Sequence, residues 1–469
     1  MSTSDQPNGA HILVFPYPAM GHIIPLLDLT RIFLKRGFTV TVLVTTPPHL
    51  SLLDPLLSSH PTSIQPLLLS PPEINPTANS NLFRAVANTL ALSQLRDPIT
   101  HWFKSHPSPP VAIVSDMFLG WTHHLASDLG VPRVVFWTSG AHAVSIFNAL
   151  WRDLPRIDDP DDEDSVLSLP NLPNSPKYPS WQITSLYRLF KEGDPDWEFF
   201  RNGMLANSQS WGAVVNSFTE LERVYIEHIK KEMGHDRVWA VGPLLLDGND
   251  LLGPNNRGGS SSVSAHEVMG WLDSKADDSV VYVCFGSRWT LTSEQLGALA
   301  AALERSGVHF IWCLKDSDLE NAAISDGFQN RVVGKGFLIK GWAPQVAILG
   351  HRAIGAFVTH CGWNSVLEAM VAGVLMLTWP VAADQFTNAN LLVDQIGVAV
   401  RFCECGTRTV PDSGKLSRLL AESVGGTRPE RHRVMEVRNA ATEAIKGGSS
   451  SRDTEALVNK LCGLNSSSC

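Results

Sequence analysis

His22 closes the stretch Pro18-Ala19-Met20-Gly21-His22, just after the apolar run HILVFP at 11–16. An imidazole titrates near neutrality, so a histidine held there is suited to take a proton from a hydroxyl. Asp116 ends a second apolar run, VAIVS at 111–115. A carboxylate in that place can fix an imidazole in one tautomer and stabilise its protonated form. Residue type alone leaves a second reading of each: His22 as a cap or solvated residue at a helix start, and Asp116 as an N-cap. A third constellation is Thr359-His360-Cys361-Gly362-Trp363-Asn364-Ser365, which follows an apolar run and precedes a helical one at 366–371. Backbone N–H groups and the helix dipole at such a place would receive a pyrophosphate. Ser365-Val366-Leu367-Glu368 also fits the capping-box pattern, which would simply start the helix.

The elements that must position these groups follow from hydrophobic spacing. The run at 11–16 predicts a strand, 23–35 has helical spacing that Gly37 stops, and FTVTVLVT at 38–45 predicts the next strand. Strand, loop, helix and strand in so short a span form a parallel βαβ unit, whose ligands sit beyond the carboxyl ends of the strands. The pattern repeats with strands at 111–115 and 134–136 around a helix at 121–129. In the second half, 280–285, 309–314, 337–340, 356–359 and 374–378 are candidate strands, several separated by helical segments. A chain of 469 residues is too long for one comfortable core and suits two α/β lobes. The proline-rich stretch LPNLPNSPKYPSW at 169–181 predicts loops, because proline lacks the donor that helices and central strands need. The Gly-, Asn- and Ser-rich segment 247–262 predicts a linker between lobes.

Composition narrows the class. Hydrophobic residues at 44% with 18% charged residues describe a folded globular chain. A net charge of −9 supplies no basic field for phosphate backbones or anionic lipid, so nucleic acid and membrane surfaces are not expected partners and a small ligand is. Seven scattered cysteines without CxxC spacing or a His cluster point to reduced thiols and no structural zinc. The polar start and the lack of a long apolar window predict no signal peptide and no membrane span, hence a cytosolic location. The run Asp158-Asp159-Pro160-Asp161-Asp162-Glu163-Asp164 has no apolar strand leading into it and is interrupted by proline, so it reads as a solvated loop, not a metal site. A nicotinamide dehydrogenase would need GxGxxG after the first strand, and none is there.

From Trp342 to Gln385 the chain reads WAPQVAILGHRAIGAFVTHCGWNSVLEAMVAGVLMLTWPVAADQ. This closely resembles the 44-residue donor signature of plant family 1 UDP-glycosyltransferases. The resemblance implies an α/β GT-B fold, two Rossmann-like doubly wound lobes facing a cleft. It implies an N-terminal acceptor-binding lobe at 1–244, a linker at 245–265, a C-terminal UDP-sugar lobe at 266–448, and a terminal helix at 449–469 packing back on the first lobe. By the same resemblance His22 is the base and Asp116 its support. His360, Asn364 and Ser365 contact the diphosphate, Trp342 stacks on uracil, the Ala343 backbone reads the uracil edge, and Gln345 and Glu368 hold the ribose. Trp363, Asp384 and Gln385 bond the sugar hydroxyls, Thr138 touches the sugar, and Ser287 in Phe285-Gly286-Ser287 joins the donor site. The Asp-Gln ending is the form associated with glucose.

The expected activity is inverting O-glucosyl transfer from UDP-glucose to a small phenolic acceptor of flavonoid or hydroxybenzoate type, by a monomer needing no cofactor or metal. Transfer of rhamnose, formation of a C–C link, and a non-catalytic UDP-sugar-binding protein are the competing expectations. Met117, Phe118, Phe147 and Trp151 are candidates for an apolar acceptor pocket or for core. Two positions depart from the family pattern: Leu375 where proline is usual, and Arg288 where an uncharged residue is usual. Arg288 either approaches the phosphates or pairs on the surface.

Overall fold

The computed structural model describes residues 9–72, 81–157, 159, 162, 164–244, 261–320, 324, 326–426 and 428–465. The linker expected at 245–260, Asp158, Pro160, Asp161 and Glu163 of the acidic run, and both chain ends lie outside them. The chain divides into two compact units, 1–244 with 444–469, and 245–443.

In the first unit β1 (His11–Phe15), β2 (Thr39–Val44), β3 (Ile64–Leu68), β4 (Ala112–Asp116) and β5 (Arg133–Trp137) come in chain order. A short antiparallel hairpin, β6 (Val166–Ser168) with β7 (Lys177–Pro179), precedes β8 (Gly212–Val215) and β9 (Val238–Ala240). Apart from the hairpin these strands make one parallel sheet in the order β3-β2-β1-β4-β5-β8-β9. β1 and β4 are buried along their whole length, which is why they read as unbroken apolar runs and not as alternating ones. The second unit holds β10 (Val280–Cys284), β11 (His309–Leu314), β12 (Gly336–Lys340), β13 (Ile354–Thr359), β14 (Leu375–Thr378) and β15 (Ala399–Arg401). They too form one parallel sheet, in the order β12-β11-β10-β13-β14-β15.

Each sheet reverses its direction of growth once, between β1 and β4 in the first unit and between β10 and β13 in the second. The loops that leave those adjacent strands turn away to opposite sides, so a crevice opens at the strands' carboxyl ends. Register puts Phe15 beside Ser115, and Cys284 beside Thr359. His22 and Asp116 therefore leave one switch point, and Ser287 and His360 the other.

Three findings differ from the sequence reading. The proline-rich stretch contains β7; a two-stranded sheet has only edges, so Pro179 lies there without breaking a ladder. Leu167, Leu169, Leu172 and Tyr178 pack with Ile146 and Leu150 in a small core of their own. Residues 261–265, expected as linker, belong to the second unit: Ser261 bridges to Gly341 and the Ser264 side chain caps helix Ala265–Asp273. Residues 444–448, expected with the second lobe, group with the first unit.

The last helix, Ser449–Asn465, packs on β9. Its Asp453 carboxylate accepts from the Ala240 N–H at 2.8 Å, and Ser449 Oγ donates to Glu220 at 2.6 Å. Leu457, Val458 and Leu461 enter the core that also holds Val14, Phe33 and Val40. Leu457 is fully buried there, so Leu457→Ala leaves a cavity at the base of the sheet. The expected cost is about 2–4 kcal/mol, read as a lowered urea midpoint at unchanged slope.

Candidate active site

Helix Met20–Lys35 starts at Ala19 without any side-chain cap, so His22 is not a capping residue. Its ring turns instead to the end of β4, where Nδ1 lies 2.8 Å from Asp116 Oδ2. The Asp116 side chain has no exposure and that of His22 has 15%. An ionised carboxylate only accepts, so Nδ1 carries the proton of this bond and Nε2 keeps its lone pair. Asp116 Oδ1 accepts from the Phe118 N–H at 2.9 Å and caps the short turn Met117–Leu119. Asp116 thus turns one oxygen to His22 and caps the turn with the other.

Phe118 also stacks on the imidazole, with ring centroids 5.1 Å apart and planes at 29°. Tyr17 stands 5.3 Å from His22 and 5.2 Å from Phe118, closing a ring of three aromatic groups. These faces hold the imidazole on Asp116 by packing as well as by the hydrogen bond. Of the other pocket candidates, Trp151 sits in core, edge-on to Tyr187, Phe190 and Phe200. Met117 and Phe147 are buried. Thr138, one residue beyond β5, is buried too.

The next helix, Ala141–Asp153, shows what a filled N-terminus looks like. The Glu222 carboxylate accepts from Ala141 N–H at 2.9 Å and His142 N–H at 2.7 Å. Burial pushes the Glu222 carboxyl up, and its hydrogen bonds to Ser217 and to those N–H groups pull it back. An internal carboxyl group already occupies this helix start.

In the second unit helix Trp363–Ala372 begins at Gly362 with no side-chain cap. Ser365 lies inside the first turn, so the capping box does not form. Its Oγ accepts from Gln345 Nε2 at 2.9 Å, and the same amide donates to Glu368 Oε2 at 2.7 Å. Tyr282, buried in β10 and stacked on Phe357 at 5.0 Å, donates to Gln345 Oε1 at 3.2 Å. Gln345, Ser365 and Glu368 are thus one hydrogen-bonded group, oriented by a tyrosine that the sequence reading passed over as strand core.

The His360 ring lies between two glycines. A Cβ on Gly286 would stand 2.7 Å from His360 Nε2, and one on Gly362 would stand 2.4 Å away. Gly286 also needs its positive φ of 69°. Burial, with the nearby Lys315 charge, pushes His360 down to about 4. It is therefore neutral at physiological pH and not a fixed cation. Cys361 follows at φ 64°, and its carbonyl accepts from Asn388 Nδ2 at 2.9 Å. Asn388 Nδ2 lies 3.1 Å from Asp384 Oδ2 as well, tying the turn after β13 to Asp384. Gln385 Oε1 accepts from the N–H groups of Val381 and Ala382 at 2.8 and 2.9 Å, which turns its NH₂ the other way. Trp363 and Ala343 are buried, Trp342 and Asn364 half-buried, and Ser287 exposed. Arg288 is exposed with its guanidinium 5.4 Å from the Trp289 ring centroid. Leu375 opens β14 fully buried, a strand-start position that proline also tolerates.

Among the described residues no group of three or more His, Cys, Asp or Glu is placed to hold a metal ion. Nor is any described helix long and apolar enough to cross a membrane.

The depressed His360 makes stability pH-dependent. Because its folded-state pKa of about 4 lies below the ordinary 6.5, the unfolded chain binds the proton first as pH falls. The stabilisation is complete above 6.5 and is lost as pH falls towards 4. Between pH 7 and pH 5 this residue accounts for a loss of about 2 kcal/mol. Urea unfolding of His360→Gln at the two pH values is expected to show a correspondingly smaller fall than the wild type.

Residues 260–410 match the family model described as UDP-glucoronosyl and UDP-glucosyl transferase. A flavonol 3-O-glucosyltransferase of Arabidopsis thaliana is 51% identical, over 98% of this chain and 98% of that protein. UDP-glycosyltransferase 89B2 of Stevia rebaudiana is 49% identical over 98% and 100%. The crystal structure of Arabidopsis thaliana UGT89C1 complexed with UDP-L-rhamnose superposes with a TM-score of 0.79 at 39% identity, covering 97% of this chain and 99% of that one. With two parallel-sheet α/β units and such relatives along nearly its whole length, the chain has the GT-B fold and belongs to the plant family 1 UDP-glycosyltransferases, in their flavonol-type branch.

Proposed function

We propose that this UDP-sugar-dependent glycosyltransferase transfers glucose from UDP-glucose, with inversion, to a hydroxyl of a flavonoid or hydroxybenzoate. It acts as a cytosolic monomer that needs no metal. The observation that carries the reading is the 2.8 Å bond from His22 Nδ1 to a fully buried Asp116 carboxylate, which leaves Nε2 as the basic atom. His22 Nε2 takes the acceptor's proton as the acceptor oxygen bonds to the anomeric carbon. The bond from that carbon to the β-phosphate oxygen breaks, and UDP leaves with the electron pair. Asp116 stabilises the imidazolium that forms, without itself being protonated. The first N–H groups of helix Trp363–Ala372 and the neutral His360 supply hydrogen bonds to the diphosphate charge as it develops. Gln345 and Glu368 are paired ready for ribose hydroxyls, and Trp342 for the uracil face.

Glucose is favoured by Asp384-Gln385 and by the 51% identical relative, named a flavonol glucosyltransferase. Rhamnose is the second reading, because a flavonol 7-O-rhamnosyltransferase of Arabidopsis thaliana is 39% identical over 96% of this chain. An aromatic acceptor agrees with the Tyr17 and Phe118 rings beside His22. A solved UGT89C1 complexed with quercetin, 38% identical, points the same way.

The test is transfer followed by mass spectrometry, with UDP-glucose and UDP-rhamnose in parallel, EDTA present, on a panel of phenolics. A hexose gain is expected; a deoxyhexose gain would replace the donor, and loss of transfer in EDTA would overturn the metal-free mechanism. His22→Ala is expected to lower kcat by about 10²–10⁴-fold, and Asp116→Asn by a comparable factor, at little change in UDP affinity. Near-normal transfer by His22→Ala to an un-ionised phenol would contradict the assignment.

A further inference from the structure

Arg133, the first residue of β5, is 2% exposed inside the first unit's sheet. A buried guanidinium is costly unless it is bonded and balanced, so its partners indicate what it is for. Nε donates to Ser115 Oγ at 2.8 Å, and one terminal nitrogen donates to Asn207 Oδ1 and Ser210 Oγ at 2.9 Å each. The other reaches the Asp116 carbonyl oxygen at 3.2 Å. Asn207 in turn donates to the Met117 carbonyl at 2.9 Å. Three consecutive residues, 115 to 117, are thereby held by one guanidinium and the amide it orients, and the middle one carries the carboxylate on which His22 rests.

Charge gives a second reason. The Asp116 side chain has no exposure, so a charge on it calls for an answering one nearby. Burial lowers the Arg133 pKa to about 9 and Asp116 draws it back up, so the guanidinium is charged at neutral pH and answers the carboxylate electrostatically. With that cation gone, the Asp116 carboxylate would be left buried with no fixed positive charge beside it.

We propose that Arg133 is a positioning residue for the His22–Asp116 pair: it fixes the backbone that carries Asp116 and sets a positive charge behind its carboxylate. This rests on the reading of His22 as the base, and the test separates the two. Arg133→Met, Arg133→Lys and His22→Ala are each assayed with UDP-glucose on an ordinary phenol and on a nitrophenol acidic enough to be ionised at the assay pH. UDP affinity is measured by calorimetry and folding by circular dichroism. For Arg133→Met, kcat on the ordinary phenol is expected to fall about 10- to 100-fold, with KM for UDP-glucose within about twofold. On the ionised nitrophenol, which needs no base, the loss is expected to shrink to about threefold or less. Arg133→Lys, which keeps the charge and loses the fork, is expected to recover part of the rate. Equal loss on both acceptors, or no loss, would overturn the proposal. Where Arg133→Met does not fold, Arg133→Lys decides by the same acceptor comparison. If His22→Ala itself fails to distinguish the two acceptors, the base assignment falls, whatever the arginine variants do.

Discussion

Everything the two sites can do depends on where a parallel sheet reverses its direction of growth. A strand followed by a right-handed crossover keeps adding neighbours on one side until the chain returns to the other side of the first strand. At that point two adjacent strands release loops that diverge, and only there can side chains from distant parts of the sequence meet without crossing a helix. His22 and Asp116 are 94 residues apart in sequence, yet the pairing of β1 with β4 brings them within one hydrogen bond. The same constraint brings the Gly286 turn after β10 against His360 after β13, so closely that a Cβ on Gly286, as on Gly362, would displace the ring.

Once topology has placed the groups, electrostatics sorts them. The first unit stacks its polar groups in depth, the Arg133 guanidinium behind the Asp116 backbone and the Asp116 carboxylate behind His22, with the outermost imidazole alone open to solvent. The second unit keeps its histidine neutral by burial and leaves a helix start without a side-chain cap. The contrast with helix Ala141–Asp153 is instructive, because there Glu222 satisfies the first N–H groups from within. A helix terminus serves an external anion only when the protein does not supply one of its own. The aromatic groups act on a different axis: Phe118 binds Asp116 through its backbone and His22 through its ring, so a single residue ties both members of the pair.

Much of this was legible beforehand, and the reasons differ by element. Strands buried on both faces stand out as apolar runs, so β1, β2, β4, β5, β10, β11, β13 and β14 were found to within a few residues. β3, β8, β9 and β15 were missed; each is only three to five residues long, and β3, at the sheet edge, has exposed Gln65, Pro66 and Leu68. The stretch 342–385 was legible as a family signature because its residues match a long pattern at many positions at once. Its supports were not: Tyr282 looks like any aromatic strand residue, and nothing local shows that its hydroxyl holds Gln345. Arg133 was invisible for the opposite reason, since an arginine next to a turn proline reads as a solvated strand end. The Ser365–Glu368 capping pattern, the alternative to the pyrophosphate reading, does not form because the helix takes its cap position three residues earlier, at Gly362.

The central claim is that Asp116 presents His22 with its proton on Nδ1 and its lone pair on Nε2. The most direct measurement is the ¹⁵N spectrum of selectively histidine-labelled protein at a pH where the ring is neutral, with the His22 signals identified by their absence in His22→Ala. The account predicts a protonated Nδ1 and an unprotonated Nε2 in the wild type, with that preference lost in Asp116→Asn. A wild-type ring carrying its proton on Nε2 would leave no base facing the acceptor and would contradict the account.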